Sequence, residues 1–206
     1  MPMASICCNL WPKRKGDPMG LTRETTSIPG VFVFTPDVFG DARGFFLQTY
    51  QTREYAAAGL DRAFVQDNLS RSCRGTVRGL HYQLKHPQGK LVSVLRGAVL
   101  DVAVDIRRGS PTFGKFEAVE LSEDNRKQFY VPEGFAHGFR VLTDVADFCY
   151  KCTDFYAPGD EYGVKWDDPD LAIPWGDWTA PIVSAKDQKL PRLADVPPER
   201  LPVFKE

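Results

Sequence analysis

The sequence predicts an all-β fold, a sandwich or barrel of short strands around one core. Three observations carry that prediction. Many short runs of β-branched, aromatic and aliphatic residues alternate with turn residues, the spacing expected of sandwiches and barrels. A single clear helical interlude, Arg53 to Ala58, interrupts them and is stopped by Gly59. The chain has 206 residues, 43% of them hydrophobic, enough to bury a core without disulfides or a structural metal. No internal repeat and no domain-splitting linker is visible.

The elements follow in order. Residues 1–20 form a basic, proline-containing stretch with vicinal Cys7 and Cys8. Either Met19 is the start or this is a short tail, expected to be disordered. Val31 to Phe34 and Phe45 to Tyr50 read as strands, and at least one of Phe45 and Phe46 is expected to be buried. After the helical interlude come Phe64 to Ser70, Thr76 to Gln83 and Leu91 to Leu95. Arg96-Gly97 makes a hairpin-like break before Ala98 to Ile106. Phe116 to Leu121, Gln128 to Val131, Phe139 to Leu142 and Ala146 to Thr153 complete the β-rich body. Trp166 to Trp178, crowded with Asp, Pro and Trp, reads as irregular packing or a short helical cap. A single domain is expected over residues 21–190, and the proline-rich residues 191–206 form a C-terminal extension that wraps or trails.

Composition removes several function classes. With 26 basic and 27 acidic residues the formal net charge is −1, so nucleic acid is not a favoured partner. No apolar run approaches membrane-span length. Lys13, Arg14 and Lys15 follow the first apolar stretch instead of preceding it, which is not the order of a signal peptide. Five scattered cysteines fit a reducing cytosol, and a cytoplasmic location is expected. Cys149-x-x-Cys152 lacks a second pair, and on a strand the two thiols face opposite ways. There is no Gly-x-Gly for a dinucleotide turn and no Gly-x-Ser-x-Gly elbow. Gly109 to Lys115 nearly spells a P-loop, but Phe116 stands where a magnesium-holding hydroxyl is needed, and a hairpin turn is the better reading. Asn68-Leu69-Ser70 is a glycosylation triplet by spelling only.

Two histidines carry the chemistry. Pro132-Glu-Gly134-Phe-Ala-His137-Gly138 spells Pro-x-Gly-x-x-His, half of the paired signature of cupin β-barrels. The other half would supply His-x-His and a later Glu. Here the segment is Arg78-Gly-Leu-His81-Tyr-Gln83, with Gln83 in place of the second histidine, and the run ending in Gly89-Lys90 offers no glutamate. Most metal ligands are thus missing, while two imidazoles and a lysine remain. That set suits proton transfer, and no metal is expected.

These segments, with Asp41-Ala-Arg43-Gly-Phe-Phe46, Gln66-Asp67-Asn68, Gln88-Gly-Lys90 and Tyr150-Lys151, resemble the dTDP-4-dehydrorhamnose 3,5-epimerases. The resemblance runs from about Gly30 to Leu190, with the motifs in order at compatible spacing. It implies a cupin-type jelly-roll barrel, a homodimer in which the N-terminal strand region contributes to the partner's site, and a reaction needing no metal or redox cofactor. The implied substrate is dTDP-4-dehydro-6-deoxy-D-glucose, inverted at C3 and C5. Inversion beside a ketone removes an α-proton from one face and returns one to the other. A histidine, with an ordinary pKa of about 6.5, is a suitable base. The resemblance implies His81 as base, Asp187 as the carboxylate holding it, Lys90 as the positive charge for the C4 enolate, and Tyr150 as the opposite-face acid. It further implies substrate contacts from Arg43, Phe46, Gln48, Gln66, Asp67, Asn68, Arg78, Lys90, His137, Glu161 and Lys186.

Plainer readings stand beside each role. His81 could be a hydrogen-bonded core histidine, Tyr150 ordinary strand packing and Lys90 surface charge; only their joint register favours chemistry. His137 reads as substrate-binding or supporting, a structural role standing beside it, and His86 as solvated. Asp101, interrupting an apolar strand, either orients a histidine or caps a wet pocket, since an unpaired buried carboxylate is costly. Three departures from the family pattern bear on substrate identity: Gln48 in place of a common Glu, Leu69 in place of a histidine, and Phe155 in place of a tyrosine. The rivals are an epimerase acting at C3 only or C5 only, a noncatalytic sugar-nucleotide-binding cupin, and a metal-dependent cupin oxygenase or isomerase.

Overall fold

The computed structural model describes residues 20–176 and 180–205. The expected tail, with Cys7 and Cys8, and the end of the Trp166–Trp178 segment lie outside the described residues. In chain order the first strands are β1 Leu21–Thr25, β2 Phe32–Pro36, β3 Val38–Asp41 and β4 Gly44–Leu47, followed by helix α1 Thr52–Ala57. Then come β5 Gln66–Cys73, β6 Thr76–Gln83, β7 Lys90–Arg96, β8 Ala98–Asp105 and β9 Phe116–Ser122. The last are β10 Gln128–Val131, β11 Phe135–Val141, β12 Val145–Cys152, β13 Glu161–Gly163 and β14 Ile182–Val183.

Two sheets face each other as a cupin-type jelly roll. One has the order β1-β2-β10-β7-β12-β5; the other runs β13-β6-β11-β8-β9, with β14 added to β6. Alternation along each strand sorts side chains between the inner and outer faces. Val92 and Val94 of β7, Val99 and Ala103 of β8, and Phe135 and Phe139 of β11 meet Phe129 and Phe148 in the core between the sheets. Their neighbours point outward. Phe34, Leu91 and Tyr130 pack under α1 through Tyr55 and Leu60. Leu80, Tyr82, Val102 and Val104 are covered by Leu171, Ile173, Trp175, Leu193, Val196 and Leu201. The stretch after Pro191 therefore wraps the second sheet, and Arg108 bridges to Val203.

Three expectations are corrected. Arg96-Gly97 is no hairpin: β7 pairs with β10 and β12, whereas β8 pairs with β11 and β9, so the chain crosses between sheets there. Gly97 has φ +74°, and a Cβ there would collide with the Val145 carbonyl. Neither Phe45 nor Phe46 is buried; they are 56% and 61% exposed. Their ribbon, β3 with β4, pairs with neither large sheet; the Arg126 guanidinium lies 4.2 Å from the Phe45 ring centroid but leaves both rings largely exposed. The run read as Phe45 to Tyr50 also stops at Leu47. Trp166 to Trp175 is irregular, with the Trp175 indole N–H donating to the Trp166 carbonyl at 2.7 Å. The Gly109–Lys115 turn joins β8 and β9 as an antiparallel hairpin. Among the described residues no helix is long and apolar enough to cross a membrane.

Candidate active site

β6 and β11 meet in a register that places His81 opposite His137. The register shifts between His137 and Phe139, and two glycines make the crossing possible. A Cβ on Gly79 would lie 2.6 Å from the Gly138 Cα, and one on Gly138 would lie 2.5 Å from the Arg78 carbonyl oxygen. No side chain fits between these backbones. Both histidines thereby project into the space between the sheets.

Asp187 reaches His81 through a second local device. β14 joins β6 in parallel, pairing Ile182 with Thr76 and Val183 with Val77. The chain then turns at Ser184, whose hydroxyl accepts from the Asp187 N–H at 3.0 Å. This aims Asp187 Oδ1 at His81 Nε2, 2.7 Å away, and lets the Gly79 N–H donate to Oδ2 at 3.3 Å. Burial raises the Asp187 carboxyl. The His81 hydrogen bond and charge, with the Gly79 and Ser184 bonds, outweigh it and hold the group below 3.8. Glu161 Oε1 lies 3.7 Å from the other ring nitrogen, Nδ1. Its second oxygen bonds Lys186 and accepts from the Tyr156 hydroxyl at 3.3 Å.

A cavity of about 660 Å³ opens beside this pair. Its lining joins Arg78 and His81 of β6, Lys90 of β7, His137 of β11, Tyr150 of β12, and Glu161, Lys186 and Asp187. Burial pushes the Lys90 ammonium below its ordinary value, against the pull of Cys152, Asp101 and Glu161. Burial pushes the Tyr150 phenol up, and Cys152 adds to it while Arg78 opposes. Arg78 is oriented by donating to the Ser72 hydroxyl at 3.0 Å. Asp101 takes the first of its two expected roles: its Oδ1 lies 2.9 Å from His137 Nε2. Burial raises the Asp101 carboxyl, although His137 and Lys90 pull it back. The His137 ring stacks on Phe148, centroids 6.1 Å apart.

Other predicted residues stand elsewhere. Gln66 and Asn68 bond each other at 3.1 Å on β5, and Asn68 reaches the Cys152 sulfur at 3.6 Å. Asp67 turns to the opposite face and pairs with Lys151 at 3.0 Å. Arg43 pairs with Asp41, and Phe46 stands exposed on the same ribbon. Gln48 donates to Glu54 at 2.6 Å. None of these lines the cavity of its own protomer. Gln83, at the position of the missing second histidine, holds backbone instead. Its amide donates to the His86 and Phe155 carbonyls at 2.6 and 3.2 Å and accepts from the Ala157 N–H at 2.9 Å. His86 is exposed beside Asp154, 3.4 Å away. Sequence reasoning missed Ser72, Tyr156 and Ser184. Only Ser184 left a readable trace, the Ser-x-x-Asp spacing of a local side-chain cap.

Facing antiparallel sheets with a polar cavity between them define the protein as a cupin-type barrel, and its relatives are isomerases. More narrowly, the chain belongs to the dTDP-4-dehydrorhamnose 3,5-epimerase family, whose profile matches residues 25–195. A dTDP-4-dehydrorhamnose 3,5-epimerase of Pseudomonas aeruginosa is 52% identical over 170 residues, 82% of this chain and 94% of the relative. The crystal structure of dTDP-6-deoxy-D-glucose-3,5-epimerase from Legionella pneumophila, in complex with dTDP-4-keto-L-rhamnose, superposes with a TM-score of 0.88 at 48% identity. That match covers 90% of this chain and 100% of the other. A dTDP-4-dehydrorhamnose 3-epimerase of Streptomyces niveus is 44% identical over 170 residues, 82% of each chain.

Proposed function

We propose that the protein converts dTDP-4-dehydro-6-deoxy-D-glucose to dTDP-4-dehydro-L-rhamnose by inverting C3 and C5. The observation that carries this reading is one cavity in which a carboxylate-held imidazole shares the lining with an ammonium and a phenol. His81 removes the α-proton. Asp187 fixes the ring and favours the imidazolium that forms. Lys90 stabilises the enolate oxygen at C4, and Tyr150 returns a proton to the opposite face. His137, steadied by Asp101, with Arg78, Glu161 and Lys186, binds the sugar and phosphates. Gln66 and Asn68 contribute from β5 at the cavity edge, whereas Asp67, turned to the opposite face and paired with Lys151, takes no part.

The active form is a homodimer in which Arg43, Phe46 and Gln48 reach the neighbouring subunit's nucleotide. Support comes from the β3–β4 ribbon, which bears two exposed phenylalanines and pairs with neither sheet. A cytoplasmic location fits the free thiols at Cys73, Cys149 and Cys152. A second reading, inversion at C3 alone, is the activity for which the 44% identical Streptomyces niveus relative is named, although the 3,5-epimerase of Pseudomonas aeruginosa is more similar, at 52%.

The test is proton exchange into dTDP-4-dehydro-6-deoxy-D-glucose in D₂O, followed by NMR with and without EDTA. Deuterium at both C3 and C5, insensitive to chelator and absent in His81→Ala, is the expected result. Label at one carbon means a single-site epimerase with the same chemistry. Binding without label at either carbon would leave a noncatalytic sugar-nucleotide binder.

A further inference from the structure

A carboxylate faces each nitrogen of the His81 ring, and the two differ in kind. Asp187 is buried, its side chain 4% exposed, and its oxygens are already engaged by His81 and the Gly79 N–H. An ionised carboxylate only accepts, so Nε2 carries the ring proton and Nδ1 presents the lone pair. Nδ1 is therefore the basic atom. The carboxylate beside it is Glu161, 3.7 Å away and 21% exposed, joined to the more exposed Lys186 and to Tyr156. One carboxylate is a closed anchor; the other stands between the ring and solvent.

Two inversions by one base pose a proton problem. In the first, the C–H bond breaks, its proton goes to Nδ1 and its electron pair to the C4 oxygen. The enolate then collapses as the Tyr150 proton forms a new C–H bond on the other face. The substrate has lost one proton and gained one, but the enzyme is left with an imidazolium and a phenolate. It cannot invert the second carbon until His81 loses its proton and Tyr150 regains one. Asp187 offers no route out, because it holds Nε2 and is closed to water.

We propose that Glu161 is the outlet through which His81 passes the abstracted proton to solvent between inversions. This rests on the 3,5-epimerase reading above. Nδ1–H gives its proton to Glu161 Oε1 and thence to water, and water reprotonates the Tyr150 phenolate, so no proton is gained or lost overall. Burial alone would raise the Glu161 carboxyl, but the bonds to Lys186 and Tyr156 and the charge of His81 keep it below 4.5. The outlet is thus empty when a proton arrives. Other charged and titratable groups around the ring include Asp187 and Lys186 from the β14 side, Arg78 on its own strand, His137 on the neighbouring strand β11, and Lys90 and Tyr150 across the cavity. They hold the substrate and its charges; none but Glu161 stands beside Nδ1 among the described ion pairs.

The experiment compares wild type, Glu161→Gln and Glu161→Ala by rapid-quench NMR in D₂O, with and without added sodium formate. The variants are expected to show a burst of label in the first pass followed by sustained turnover slowed about 10²-fold. They should also release singly inverted product, and formate should restore turnover in Glu161→Ala, where a small carboxylate has room. Wild type should show neither burst nor formate dependence. Loss of the first pass and of sustained turnover in equal measure, with a raised KM and no formate effect, would make Glu161 a binding residue and overturn the outlet. Unchanged turnover in both variants would overturn it as well. Absence of exchange in wild type would instead defeat the epimerase reading itself.

Discussion

Lys90 and Tyr150 line one cavity, yet burial moves them in opposite directions. Desolvation favours the neutral form of each, so the lysine titrates below its ordinary 10.5 and the tyrosine above its ordinary 10.0. In the proposed chemistry both must be protonated, one to stabilise an enolate and one to donate. Burial thus brings the loss of the lysine proton to lower pH and defers the loss of the tyrosine proton to higher pH. The alkaline limb of kcat/KM is therefore expected below pH 10.5 and to belong to Lys90. Lys90→Met should lower kcat by about 10²–10³-fold, the usual cost of removing one charge-stabilising donor. Its remaining activity should persist to higher pH, where Tyr150 takes over the limb. A pH–rate profile of the two proteins checks this, and an unmoved limb would remove Lys90 from that role.

How far an element was legible depended on whether its signal was local. β6 and β10 match the predicted Thr76–Gln83 and Gln128–Val131 because apolar runs end there at turn residues. β3 was missed because Gly40 and Asp41, poor strand formers, fill half of its four positions, and β11 was predicted to start late because Gly138 interrupts its first half. The His81–Asp187 contact spans 106 positions and depends on a two-residue strand, so no periodicity could announce it; only the family resemblance paired the two. Phe45 and Phe46 failed for a third reason. An apolar strand reads as buried whether its cover is its own chain or another. A two-stranded ribbon is marginal alone, so an exposed aromatic pair on one calls for a partner surface. In the proposed homodimer, Phe45→Ser with Phe46→Ser is expected to shift the sedimentation in analytical ultracentrifugation from dimer to monomer, leaving the β-rich circular dichroism intact. A variant that stays dimeric would place the interface elsewhere.

For the whole molecule, one buried charge cluster joins the barrel to its C-terminal wrap. The Asp105 side chain is fully buried at the end of β8 and is bonded by Arg107 at 2.7 Å and by Ser110 and Thr112, each at 2.6 Å. The Arg107 guanidinium in turn lies over Phe135 of β11 and over Phe204 near the C-terminus, 4.4 and 5.0 Å from the ring centroids. One carboxylate therefore fixes the β8–β9 hairpin and, through Arg107, the last residues against the second sheet. Burial raises its pKa, but the bonds from Arg107, Ser110 and Thr112 win, so its folded value lies below the unfolded 3.8. For a carboxyl so depressed, the stabilisation is fully present above the unfolded value and is lost as pH falls through the folded one. Asp105→Asn removes the charge and leaves Arg107 without its partner, a change expected to cost about 3–5 kcal/mol. Near neutral pH the variant should unfold at markedly lower urea concentration than wild type. Below pH 3.8 the gap should narrow, because the unfolded wild-type chain then takes up a proton that the native state binds only at lower pH. A gap independent of pH would mean that Asp105 acts through shape and not through charge.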